Sequence, residues 1–148
     1  MIWKPHATVA ALIECDGRFL MVEEHADGGL RLNQPAGHLE EGETLAQAAV
    51  REVFEESGHR FVPEHLVGLY QWRHAESGRE YLRAAFSGRS TGHEPDAPLD
   101  TGIVRALWMS ADEIRAARDS LRSPLVLACL EDYLAGQRFP LSLTRRIS

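Results

Sequence analysis

Residues 37–59 read GHLEEGETLAQAAVREVFEESGH, and this block decides the fold. Thr44 followed by Gln47 forms a capping-box pair, and Gly58 supplies a stop, so the spacing predicts a helix over 44–57 (TLAQAAVREVFEES). At about 100° per residue, Leu45, Ala46, Ala49, Val50, Val53 and Phe54 occupy one sector, expected to face the core. Glu52, Glu55 and Glu56 fall together in the neighbouring sector, three and four residues apart, and are therefore direct neighbours.

That crowding is locally unfavourable. Glu52 and Glu56 form a like-charge i, i+4 pair, and all three acids lie at the negative end of the helix dipole, which costs about 0.3–1 kcal/mol per charge. Only Arg51, four residues before Glu55, is placed to offset it. A solvated acidic face explains solubility but not why the acids gather at the wrong helix end. A divalent cation does explain the crowding, because magnesium takes carboxylate, water and phosphate oxygens and neutralises charge at phosphorus.

Outward from the helix, 7–15 (ATVAALIEC) and 18–24 (RFLMVEE) are apolar runs joined by Asp16-Gly17, a strong hairpin signal. A second turn at Ala26–Gly29 leads to an extended piece from Leu30 to about Pro35, then a loop from Gly37 to Glu43. Residues 66–74 and 79–87 read as strands joined across Ser77-Gly78. Residues 88–102 read as a long polar loop, and 103–109 as a last strand. Ser110 with Glu113, and Ser123-Pro124, open two further helices, the second stopped near Gly136. The sum is an α/β (α+β) chain with a mixed sheet between helices.

The 148 residues are expected to form one domain, 1–148. A net charge of −6 argues against nucleic acid or an anionic membrane as partner. The N-terminal stretch is too short and too interrupted for a signal peptide or membrane span, so a cytoplasmic location is expected. Cys15 and Cys129 have no zinc or disulfide spacing and are expected as small core residues.

Gly37, Glu43 and the run Arg51-Glu52-Val53-Phe54-Glu55-Glu56-Ser57-Gly58 resemble, in identity and spacing, the signature of Nudix hydrolases over positions 37–59. The resemblance implies the Nudix fold, a mixed sheet sandwiched between helices with the box as loop–helix–loop. It implies metal binding by Glu52, Glu55, Glu56 and the Gly37 carbonyl, with Arg51 orienting the carboxylates and Glu43 bracing the loop. The cofactor implied is Mg2+, with Mn2+ a possible substitute, and the reaction is attack of water on phosphorus in a diphosphate linkage. Glu94, Asp96 and Asp100 are candidates for a loop base. His59 stands where an aliphatic residue is usual, which suggests a packing variation.

The stretches KPHATVA, NQPAGHLE, Gln71-Trp72, RSPLV and GQRFPL extend the resemblance to a bacterial phosphatase branch of the family. That branch acts on nucleoside tri- and diphosphates and on the pyrophosphate esters of thiamine and of its hydroxymethylpyrimidine precursor. The implied partner is a small molecule, and the chain a monomer or homodimer. Other readings are a family member acting on ADP-ribose or dinucleoside polyphosphates, or a nucleotide sensor without turnover. The former often carry proline or tyrosine roughly sixteen residues past the box, where His74–Ser77 has neither. Arg31, Arg73 and Arg83 are candidate phosphate contacts, Tyr70 and Trp72 candidate ring-stacking residues, and His38 and Gln34 candidate substrate neighbours.

Overall fold

The computed structural model describes residues 1–148. Its elements are β1 (His6–Cys15), β2 (Arg18–Ala26), β3 (Gly29–Asn33), β4 (Ala36–His38), α1 (Leu45–Ser57), β5 (His59–Arg73), β6 (Glu80–His93), β7 (Ile103–Ser110), α2 (Ala111–Ala116) and α3 (Leu125–Leu134). Short 3-10 turns lie at Arg118–Ser120 and Leu141–Leu143.

β1 and β2 form the expected hairpin, with positive φ at Asp16 (52°) and Gly17 (77°), the twist that a two-residue turn needs. They pair only next to the turn, Glu14 with Phe19 and Cys15 with Arg18, and then diverge. β1 continues between β6, which is parallel to it from His6–Tyr81 to Ile13–Gly88, and the short antiparallel β4. β2 runs between β3 and β7, both antiparallel. The mixed sheet therefore splays in two arms, and β4 carries Gly37 opposite Val9 at the middle of β1.

Both faces of the central strands are covered. Val9, Ala11 and Ile13 pack with Ala48, Ala49 and Val53 of α1, while Leu12 turns the other way, toward Val67, Ala85 and Cys129. Likewise Leu20 joins the α1 side, and Phe19 and Met21 join Ile114 of α2 with Val126 and Leu130 of α3. Strands buried on both sides read as continuous apolar runs, as 7–15 and 18–24 do.

Several expectations shift. β5 starts immediately after Gly58 and β6 runs on to His93, so the polar loop is shorter than 88–102 and begins at Glu94. Pro63 falls within β5 because that strand lies at the sheet edge and bulges beside it. Gly37 and His38 belong to β4, not to a loop. On α1 the sector turns slightly: Val50 is exposed, whereas Ala48, Glu52 and Glu56 are buried. Cys129 is a core residue, but Cys15, at the hairpin end, is exposed.

Candidate active site

The capping box of Thr44 and Gln47 fixes where α1 starts, and its end is fixed at Gly58, which has φ 74°. A side chain there would also sit 2.6 Å from the Glu94 carbonyl, so the chain can turn directly from helix into β5 only with glycine. The Glu94 N–H donates to the Gly58 carbonyl and the Asp100 N–H to the Glu55 carbonyl, which pins the 94–102 loop to the acidic end of α1.

Arg51 organises the acids. Its Nε and Nη2 donate to both carboxylate oxygens of Glu43 at 2.6 and 2.9 Å, a bidentate pair. Its Nη1 reaches Glu52 (2.7 Å) and Glu55 (2.9 Å), and Nη2 also reaches the His38 carbonyl (2.9 Å). Glu43 in turn accepts from the Glu40 N–H at 2.9 Å. One guanidinium thus ties the loop before α1, the strand β4 and two helix carboxylates together. It holds the Glu43 carboxyl below the usual range, chiefly through its hydrogen bond.

Gly37 lies so close to Glu52 that a Cβ would meet its carboxyl carbon at 2.2 Å. Oxygens of Glu52, Glu55 and Asp100 lie within 4.8 Å of one another. Glu56 is not in that group. Its Oε1 accepts from the Ala36 N–H at 2.9 Å, and it lines a cavity with Glu24 and Glu52. Burial pushes the Glu56 carboxyl up to about 9, opposed by the Ala36 hydrogen bond and reinforced by the charges of Glu52, Glu24 and Asp100. Burial also raises Glu52, against the pull of Arg51, and Glu24, against that of Arg122, whose Nε lies 3.1 Å from Glu24. The acids form two groups that share Glu52; within the cavity-side group Glu52 pairs with Arg51 and Glu24 with Arg122, while Glu56 forms no ion pair.

The cavity is about 400 Å3. Its wall also carries basic and aromatic side chains: Arg79, Tyr81 and Arg83 from β6 and its approach, Trp72 from β5, and Arg122, the ion-pair partner of Glu24, from the loop before α3. The Trp72 and Tyr81 rings stack with centroids 5.7 Å apart. Its carboxylates suit a cation, and its guanidinium groups beside aromatic rings suit an anion attached to a flat ring.

The model of the NUDIX domain family matches residues 3–128. The chain belongs to the Nudix family. As a Nudix hydrolase it is an enzyme that cleaves diphosphate linkages. This Nudix hydrolase is 43% identical, over 142 residues, to the phosphatase NudJ of Escherichia coli strain K12, with 96% of this chain and 92% of that protein covered. The NudJ phosphatase of Shigella flexneri matches to the same extent. A solved Nudix hydrolase from Nitrosomonas europaea superposes with a TM-score of 0.95 at 54% identity, covering 97% of this chain and 98% of the other. No helix is long and apolar enough to cross a membrane.

Of the candidates read from sequence, Glu52, Glu55, Asp100, Gly37, Arg51 and Glu43 converge, with Glu56 behind them on the cavity side. Glu94 instead pairs with Arg60 (3.1 Å), and Asp96 is exposed outside the cavity. Arg83, Trp72 and His38 line the cavity; Arg31 and Arg73 do not. Gln34 is buried as a brace, its Nε2 donating to the Val126 carbonyl at 2.9 Å. Tyr70 donates to Asp132 at 2.7 Å away from the cavity. His59 packs, with its ring stacked on His93 at 4.2 Å and its Nδ1 2.8 Å from the Ser90 hydroxyl. Glu24, Arg79, Tyr81 and Arg122 went unread. For Arg79, Tyr81 and Arg83 a signal existed, since alternate residues share one strand face.

Proposed function

We propose that this Nudix hydrolase is magnesium-dependent, with manganese able to substitute, and removes phosphate from nucleoside tri- and diphosphates and related pyrophosphate esters. Thiamine pyrophosphate and hydroxymethylpyrimidine pyrophosphate are the esters meant. The observation that carries the reading is one cavity lined both by desolvated carboxylates and by arginines beside stacked aromatic rings. The similarity to NudJ phosphatases supports the substrate class.

The residues fit a hard dication. Every donor is oxygen: the Glu52, Glu55 and Glu56 carboxylates and the Gly37 carbonyl, and Gly37 admits nothing between itself and Glu52. The raised Glu56 carboxyl marks a place where a positive charge is wanted. When bound, the ion supplies charge neutralisation at phosphorus and activation of water. Arg51 acts as a positioning residue, because all its donors are spent on Glu43, Glu52, Glu55 and His38. Asp100 is assigned as acceptor of the attacking water's proton: it stands beside Glu52 and Glu55 and takes part in no ion pair. Water attacks phosphorus, the anhydride P–O bond breaks, and the leaving phosphate oxygen takes the electron pair.

The test is phosphate release over nucleotides, thiamine pyrophosphate, ADP-ribose and sugar nucleotides, with magnesium and with chelator. Turnover of the tri-, di- and thiamine substrates in the magnesium arm alone is expected. Release confined to ADP-ribose or sugar nucleotides, or unaffected by chelator, would overturn the reading.

A further inference from the structure

Arg83 is a buried cation that forms no ion pair: Glu24 of the same cavity feels its charge but is paired with Arg122. The residue is 5% exposed and lines the cavity. Its Nη1 donates to Gln34 Oε1 (3.1 Å) and Nη2 to Asn33 Oδ1 (3.3 Å), both neutral, and its Nε–H has no partner. The ion pairs of the cavity wall all belong to Arg51 or Arg122. A desolvated charge left so is costly unless an anion meets it, and a guanidinium presents parallel donors that match phosphate oxygens. It is also aimed in advance, because Gln34 is itself held by the Val126 carbonyl of α3.

Resting on the function proposed above, we infer that Arg83 binds the substrate phosphate that is not held at the Glu52–Glu56 end. Arg83 is then a specificity-determining residue for the substrate's phosphates, separate from the box.

The probe is methylenediphosphonate, a diphosphate whose bridging carbon resists hydrolysis, titrated calorimetrically with magnesium and with chelator. The wild-type protein is expected to bind in both arms, more tightly with magnesium. Arg83→Gln is expected to weaken binding about 10- to 100-fold in both, with Arg83→Lys between, and to raise KM for diphosphate substrates more than it lowers kcat. The Arg83 Nε–H resonance, assigned by its loss in R83K, is expected to shift when the probe is added. Wild-type affinity in R83Q, or an unmoved Nε–H signal, would overturn the inference. Should R83Q fail to fold, that signal and the R83K titration decide. Turnover of diphosphates by a protein whose Arg83 proves indifferent would sink this inference and leave the proposed function standing. An Arg83-dependent grip on the probe with no turnover of any diphosphate would do the reverse.

Discussion

Glu56→Gln keeps the shape of the side chain and its acceptor for the Ala36 N–H, but removes a charge that the metal-free protein must suppress. With the native carboxyl pushed up to about 9 and an ordinary value of 4.5 in the unfolded chain, the native group stays protonated at pH 7. Holding it so costs about 3 kcal/mol at roughly 1.36 kcal/mol per pH unit. The sign follows from the direction of the shift. Below pH 4.5 both states carry the proton and the cost vanishes; it grows as pH rises and is complete once pH passes about 9. In chelator, E56Q is therefore expected to melt higher than the wild type by on the order of 5–10 °C at pH 7, with the gap closing toward pH 5. Magnesium should raise the wild-type Tm and leave the variant nearly unmoved, while phosphate release by E56Q falls at least about 100-fold, more than an outer-shell loss. Scanning calorimetry at several pH values, with and without magnesium, is the assay. A variant that melts at or below the wild type in chelator at pH 8, or a gap that does not widen with pH, would refute the electrostatic reasoning.

Gly37→Ala drives a methyl into the Glu52 carboxyl, and a displacement near 1 Å is expected to cost about 100-fold in kcat while circular dichroism stays native. Arg51→Gln leaves Glu43 and Glu52 without their shared cation; chemical denaturation should show a loss of about 3 kcal/mol, the scale of one partner removed from a buried pair, partly recovered by magnesium. For Asp100→Asn, kcat is expected to drop about 100- to 10,000-fold, the range of a lost general base, with KM little changed; steady-state kinetics read it. His59→Leu should leave activity unchanged and cost under about 1.5 kcal/mol, since the Ser90 hydroxyl keeps the Gly92 carbonyl as acceptor. The native His59 is lowered by burial and by His93, so the wild type should lose stability against H59L as pH falls below 6.5, in acid denaturation curves.

What sequence reading caught and what it missed divides along contact distance. The α1 helix was legible to its caps because every determinant lies within its own turns: Thr44 with Gln47, then Gly58. The box acids and Arg51 were legible for the same reason. β5 was half hidden, since Pro63 and the bulges around it break the alternation that marks a strand and are tolerated only because the strand is an edge. Its pairing with β6 beyond Gly88 hides the end of β6 in the same way. The basic and aromatic residues of the cavity were least legible: Arg83 meets Asn33 and Gln34 from 50 and 49 residues away, and Arg122 reaches Glu24 across most of the chain. These contacts arise from strand order, which no local window contains. The division has a functional consequence. The residues proposed to hold the cation sit on one helix and one short strand, whereas the basic and aromatic cavity residues proposed to meet the substrate come from β5, β6 and the approach to α3. Substitutions on the second set can change which diphosphate enters without touching the first. Differences in substrate between this enzyme and other bearers of the same box should therefore be sought at positions 72, 79, 81, 83 and 122.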